Sequence, residues 1–529
     1  MRVIRVISAG LVAAVTLAGR PGPSRAQDSA AGGPPLIDSI VVITRNVFEP
    51  EEVQANPAYG LLNALHITTR ADVVRRELLL KVGQPFDSAK RDETLRNLRR
   101  VGIFNRVAID TARDSGKLVV YVLTTDAWST SLGLNARSTG GTFTWSTTLS
   151  EANLLGTSNG AQIGYYKDVD RNWSNVSLAV RRLFRTQLDG LVSYSDLSDG
   201  TIAQVGVQEP FRSLSDRQTV IVNGTLRSQR VLQFRDGALL QTWHRQGQLG
   251  SFLAQIATQA STSGYVHVGV RGQIKNEQYI LDQDSTLGIG DTLNAAVGFE
   301  GEARVARFIV VNHYNGFARD EDVDLSPRVR ASTMLAPKAF GYPRNGAGLL
   351  IEGQIGWPIG ASFTRLAWYA DGLFSSAGLD SGQARAAFTL AVRAIPRSPT
   401  IIFLVAGTQR NPAPGSEFDL GHTNGGPRAF GPHSFSGTRL VWGTLEHRVF
   451  LLDEVLGAVG IGVAGFLDYG GAWYPDEPAR LGGNVGFGLR IGPTRATGSN
   501  LGRFDLAYKF GDGVSGNRWV FSFGRSFTY

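Results

Sequence analysis

The last stretch of the chain, Arg518 to Tyr529, alternates. Trp519, Phe521, Phe523, Phe527 and Tyr529 fall on one face, and Val520, Ser522, Gly524, Ser526 and Thr528 on the other; only Arg525 interrupts the aromatic face. A repeat of two residues is the repeat of a β-strand. One face is large and apolar, the other small and mostly polar. A strand of a soluble sandwich shares this pattern, but it also suits a closed barrel with lipid outside and water inside. Helices offer no other route across a membrane. Past the N-terminus the most apolar run, Val455 to Phe466, is punctuated by Gly457, Gly460, Gly462 and Gly465, and a spanning helix needs about 20 apolar residues. Any crossing must be made by strands closed on themselves, because each backbone donor in a bilayer needs a partner.

The N-terminus has a different character. Arg2 and Arg5 precede an apolar run from Val6 to Ala18, then Gly19, Pro21 and Pro23 break it, and Ser24-Arg25-Ala26 sets small residues before Gln27. This is the pattern of a secretory signal peptide over 1–26, followed by a small-residue linker over 27–36. The chain has no cysteine, which removes disulfides, thiolate metal sites and cysteine nucleophiles from consideration. Its 64 glycines in 529 residues exceed the usual share of about 7% and suit many turns and close strands. The net charge of +8 is spread among acids with no basic block, so nucleic acid is not an expected partner.

Residues 37–125 read as a small α+β unit. Ile40-Val41-Val42-Ile43 is a strand, and Glu49 to Asn63 is irregular. Thr69-Arg70-Ala71-Asp72 is a capping box for a helix with Val73, Val74, Leu78 and Leu79 inward. Asp87 caps a second helix carrying Leu95 and Leu98, and two strands follow around Asp114-Ser115-Gly116. The order is β-α-α-β-β. The patterns Thr69-x-x-x-Val73-x-Arg75-Arg76-Glu77-Leu78, Lys81-Val82-Gly83-Gln84-Pro85-Phe86 and Leu95-x-Asn97-Leu98-x-x-x-Gly102-Ile103-Phe104 resemble a POTRA (polypeptide-transport-associated) domain. The resemblance implies a sheet edge that captures extended chains by β-augmentation; Val107, Ile109, Val119 and Tyr121 are the expected edge residues.

From residue 126 onward, short alternating segments recur between Gly, Asn, Asp and Ser turns. At about 10 membrane residues per strand plus loops, the remaining length predicts a transmembrane antiparallel β-barrel of about 16 strands over 126–529. The final strands are expected near 437–450, 456–470, 482–491, 504–510 and 519–529. The loop before them, about 421–436, holds Gly425-Gly426-Pro427-Arg428-Ala429-Phe430-Gly431; Leu445-Glu446-His447-Arg448 and Phe466-Leu467-Asp468-Tyr469-Gly470 follow. In this order and spacing the three pieces resemble the BamA/TamA superfamily of outer-membrane assembly and translocation barrels (the bacterial surface antigen family). The first hairpin, Glu151 to Thr157, and the ending Ser522-x-Gly524-x-x-Phe527-x-Tyr529 are similar to that family's first barrel hairpin and to the signal its assembly machinery reads on barrel clients. The resemblance implies that the loop folds back into the lumen and that Arg428 meets Glu446 and Asp468. Pro427 and Ala429 depart from the family, which has an aliphatic residue and a glycine there.

Two other motifs lead elsewhere. Gly156-Thr157-Ser158-Asn159-Gly160 fits G-x-S-x-G but lies in a hairpin turn rather than a strand-turn-helix elbow. Asp320, Asp322 and Asp324 lack the spacing of a dedicated calcium loop and read as a solvated loop. No catalytic residue, metal site or cofactor is expected, and the chain is not read as an enzyme. The expectation is a Gram-negative outer-membrane protein with its POTRA domain in the periplasm. Its partners would be the lipid bilayer and unfolded outer-membrane or secreted client polypeptides, with periplasmic or lipoprotein subunits left open. A two-partner secretion pore and a passive porin-like channel are the alternatives.

Overall fold

The computed structural model describes residues 35–139, 142–212, 216–235, 237–421, 424–495 and 501–525. The signal-peptide segment, and the terminal Phe527 and Tyr529, lie outside the described residues.

The N-terminal unit is a three-stranded sheet backed by helices. Strand β1 (Ile37–Arg45) is followed by helices α1 (Pro50–Ala55), α2 (Pro57–Leu65), α3 (Ala71–Arg76) and α4 (Ser88–Val101), then by strands β2 (Phe104–Asp114) and β3 (Lys117–Asp126). Ile37, Val74, Leu98, Ile103, Phe104, Ile109, Val120 and Val122 form its core. Asp87 caps α4 as expected from the sequence, accepting from the backbone N–H groups of Ala89 (2.8 Å) and Lys90 (3.3 Å). The stretch expected to be irregular holds α1 and α2 instead. Each begins on a proline, and a reciprocal Glu49–Glu52 capping box starts α1.

Two other expectations need correction. Thr69 does not cap α3, whose N-cap is Arg70. Its N–H donates to Asp126 Oδ2 (2.7 Å) and its hydroxyl accepts from Asn153 Nδ2 (2.8 Å), so Thr69 ties the small domain to the first barrel hairpin. The sheet order is β1-β3-β2. Strand β3 is central: Val119 faces Ser39 and Ala112, and Tyr121 faces Val41 and Asp110. Val119 and Tyr121 are therefore not edge residues. Val107 and Ile109 do lie on edge strand β2, although the Ile109 side chain is buried in the core. The parallel β1–β3 pairing joins segments about 80 residues apart, which adjacency in sequence does not reveal.

Twenty strands, from Thr130–Thr139 to Trp519–Arg525, close into one barrel in which the last strand lies beside the first. The count expected from sequence was about 16. Many connections are only two residues long, such as 198–199, 262–263, 282–283 and 360–361, so fewer residues are spent on loops than that estimate allowed. Side chains alternate as the period of two requires. Along Arg439–Val455, Val441 and Leu445 point outward while Thr444, Glu446 and Arg448 are buried inside. Trp519 and Phe521 of the last strand are exposed, and Val520 and Ser522 are buried.

The small domain sits against one mouth of the barrel, the near mouth. Tyr59 OH donates to Leu456 O (2.8 Å), Arg70 N–H to Gly156 O (3.0 Å), and Arg495 pairs with Glu52 (2.6 Å). At this junction Asp126 is fully buried. Burial pushes its carboxyl up to about 6, against the opposing hydrogen bonds from Thr69. The His66 ring lies 3.9 Å away, and burial lowers its own pKa against the pull of Glu151. A carboxyl raised in the folded state stabilises fold below its unfolded value and loses that contribution as pH rises through about 6. Backbone amides of 69–74 are therefore expected to protect less, after correction for intrinsic exchange, at pH 7 than at pH 5. Asp126→Asn should flatten the difference in a hydrogen-exchange measurement.

Candidate functional site

The lumen beside the closing strands holds a cluster of buried charges. Its centre is Arg428, delivered by the connection between the strands Thr400–Arg410 and Arg439–Val455 at the far mouth. That connection folds inward: Phe418, Leu420, Phe430 and Phe435 pack on Leu440, Trp442 and Ala472 of the wall. The turn ahead of Arg428 demands glycine. Gly425 and Gly426 have φ of +76° and +123°, and a Cβ at either would lie 2.9 Å from Trp442 or Leu420.

Arg428 reaches Asp468 with both arms of its fork, Nε to Oδ2 (2.8 Å) and Nη2 to Oδ1 (3.0 Å), while its backbone N–H reaches Oδ2 (3.1 Å). Nη1 pairs with Glu446 (2.8 Å), and the guanidinium stacks 3.8 Å from the Phe466 ring. Bidentate pairing of this kind is open to arginine and not to lysine. Glu446 is shared with Arg448 (2.7 Å) and Arg490 (3.3 Å). Arg490 continues to Asp505 (2.7 Å), which also takes Arg503 (2.6 Å). All seven charged groups are nearly or fully buried. Four arginines face three carboxylates: Glu446 and Asp505 each meet three of them, and Asp468 meets Arg428 alone. The methyl of Ala429, at a position where the family resemblance implies glycine, packs on Phe466, Ala507 and Val520, and its N–H meets Asn484 Oδ1 (3.1 Å).

Sequence reading singled out Arg428, Glu446 and Asp468, and the fold brings those three together. It gave no role to Arg448, Arg490, Arg503, Asp505 or Asn484. A signal was present: Glu446/Arg448 and Arg503/Asp505 are charged pairs two residues apart, on the inward face of strands whose outward face is apolar.

At the far mouth the inward connection meets the opposite wall. The His433 ring stacks 3.6 Å from Phe234 and lies between Asp419 (2.7 Å) and Asp170 (3.1 Å). Ser436 Oγ donates to Phe234 O (3.1 Å), and Gln233 Nε2 to Glu417 (2.6 Å). Burial disfavours the His433 imidazolium, but the two carboxylates outweigh it and its pKa is pushed up to about 9. A histidine raised in this way stabilises fully below its unfolded value near 6.5, and the contribution disappears as pH rises through about 9. Limited proteolysis of 411–438 is expected to accelerate between pH 8 and 10, and His433→Gln should remove that dependence.

The near mouth has its own closure, which sequence reading took for a solvated loop. Residues 306–327 form a hairpin, Phe308–Val311 with Glu321–Asp324, that folds into the lumen. Val311, Tyr314, Val323 and Leu325 pack on Phe363, Ala391 and Ile401, and Phe317 packs on Phe450 and Leu501. Three of the four acids of this segment are occupied. Glu321 accepts from the N–H groups of Asn315 and Gly316 (2.9 Å each), Asp322 meets Arg99 of α4 (3.4 Å), and Asp324 meets Arg304 (2.6 Å). The Tyr314 carbonyl accepts from Arg448 Nη1 (2.6 Å). A chain of contacts thus runs from α4 through this plug and Arg448 to Glu446 and Arg428, solvated at the Arg99–Asp322 end and buried from Tyr314 onward. Among the described residues no group of His, Asp and Glu is arranged to hold a metal ion.

Residues 66–124 match the family model described as "POTRA: Surface antigen variable number repeat", and the N-terminal unit is a POTRA domain. No curated protein matches the chain. Among solved structures, CdiB from Escherichia coli is 12% identical with a TM-score of 0.44, over 96% of this chain and 92% of that one. CdiB from Acinetobacter baumannii is 11% identical with a TM-score of 0.42, over 98% and 96%. BamA from Haemophilus ducreyi lacking POTRA domains 1-3 is 11% identical with a TM-score of 0.40, over 93% and 84%.

Proposed function

We propose that the chain is a BamA/TamA-like barrel of the outer membrane that inserts or translocates other polypeptides, with its POTRA domain in the periplasm. The observation that carries this reading is a barrel apolar outside and stoppered inside. Leu132, Leu134, Phe299 and Phe521 are more than half exposed on the outer wall, as lipid contact requires. Inward-folded segments stand at both mouths, and the one at the POTRA side is bonded to POTRA helix α4. A passive porin needs a standing aqueous path, and two inward-folded segments packed on the lumen wall stand in the way of one.

The mechanism proposed is strand-edge pairing. An extended client adds to the outer side of β2, which has no strand partner among the described residues, and then to the junction of the first and last barrel strands. Backbone donors and acceptors provide the affinity at each edge. The Arg428 cluster would hold the far-mouth segment in place while the seam exchanges strands. Because the chain has no cysteine, single cysteines report contacts cleanly. Thr111→Cys on β2 and Phe521→Cys on the last strand are expected to crosslink to an unfolded barrel client, and Phe252→Cys on the distant outer wall is not. Equal crosslinking at all three positions would refute the edge mechanism.

A further inference from the structure

Between the POTRA sheet, the plug and the rim of the near mouth lies a cavity of about 680 Å³. Its cationic lining is unevenly satisfied. Arg45 pairs with Glu49 (3.4 Å), Arg99 with Asp322 (3.4 Å), and Arg495 with Glu454 (2.8 Å) and Glu52 (2.6 Å). Arg106 of β2 and Arg319 of the plug turn have no hydrogen-bond or ion-pair partner among the described residues. Arg319 is half-buried; burial disfavours its charge, and nearby Arg99 adds to the cost. Glu321, two residues on, favours the charge of Arg319 from a distance but spends its oxygens on the backbone N–H groups of Asn315 and Gly316. Asp320 is the one carboxylate of the lining without an ion-pair partner, and it is exposed. Two guanidinium groups without a direct partner, Arg106 solvated and within reach of the field of Glu52, Arg319 half-buried, therefore face one solvated carboxylate.

We propose that this cavity receives acidic side chains of an extended polypeptide, with Arg106 and Arg319 as their partners. The proposal deepens the reading above by naming a chemistry for the client. The occupant is a polypeptide because Arg106 stands on the open edge strand. A strand added along β2 sends alternate side chains to one face, and Asn105, Arg106, Val107 and Ala108 all line the cavity. A carboxylate delivered there gains charge-assisted hydrogen bonds in a site partly shielded from water. Arg319 rides on the plug while Arg106 belongs to the POTRA domain, so one acidic segment would touch both parts.

The test uses the purified full chain in detergent and a fluorescent peptide of alternating valine and glutamate, with a valine–lysine peptide of equal length beside it. Anisotropy is expected to show binding of the glutamate peptide only. Arg106→Glu, on the exposed POTRA surface, and Arg319→Glu are each expected to weaken it about tenfold, the worth of one charge-assisted contact; Arg319→Lys should retain most of the affinity. Unchanged heat-modifiable mobility establishes that each variant keeps its barrel. Equal binding of both peptides, or full affinity in both charge-reversed variants, overturns the proposal. Should the peptide fail to bind while cells still lose client barrels on depletion of the chain, the cavity assignment falls and the assembly reading survives. Peptide binding without any loss of clients has the opposite meaning.

Discussion

Arg428→Ala is expected to lower the thermal midpoint of the folded barrel by several degrees and to open the far-mouth segment to protease. The variant leaves Asp468, nearly inaccessible to solvent, with Asn484 as its remaining side-chain partner. Removing one member of a buried pair costs about 3–5 kcal/mol, because the other charge stays desolvated. Glu446 suffers less, since Arg448 and Arg490 still reach it. Arg428→Lys should recover only part of the loss, as an ammonium cannot span both oxygens of Asp468. A double-mutant cycle isolates the pair: Arg428→Ala with Asp468→Ala is expected to be less damaging than the sum of the two single changes. Additive effects, or a midpoint unmoved in Arg428→Ala, would mean that the contact does not hold the segment. The readout is the temperature at which the heat-modifiable band shifts on a gel.

The second large effect concerns the plug. Arg307 and Leu325 are hydrogen-bonded to each other through their backbones (2.8 Å), so 308–324 can be excised and replaced by a short Gly-Ser turn without stretching the wall. The intact chain in a planar bilayer is expected to conduct little. Excision alone should give brief openings, because the far-mouth segment still stands in the lumen. Excision combined with Arg428→Ala should give sustained openings, larger than either change produces alone. A combined variant as silent as the parent would show that neither inward segment controls the path.

What could be read from sequence follows a physical division. Period-two alternation is local, so the closing strands were legible to within a few residues: Gly482–Pro493 was expected at 482–491, and Gly502–Gly511 at 504–510. Arg428, Glu446 and Asp468 were legible through the resemblance rather than through physics. Long-range pairing was not legible. Nothing in β1 announces that it lies parallel to β3, and Val119 and Tyr121 of β3 were therefore placed at an edge that belongs to β2. The plug was missed for a related reason. Asp320 is a solvent-exposed acid, and Asp322 and Asp324 look like two more until Arg99 and Arg304 arrive from elsewhere in the chain. Arg490 and Asp505 were overlooked because a charged residue on one face of a strand means opposite things in a sandwich and in a wet-centred barrel.

The central claim is that this chain acts on other polypeptides across the outer membrane. It is tested most directly by depleting the chain from the cells that make it and quantifying the outer-membrane and secreted proteins by mass spectrometry. Loss of other barrel proteins, or of one secreted partner, is the predicted result, with rescue by the parent chain and poor rescue by Arg428→Ala. Unchanged levels of every such protein, together with altered uptake of small solutes, would contradict the account.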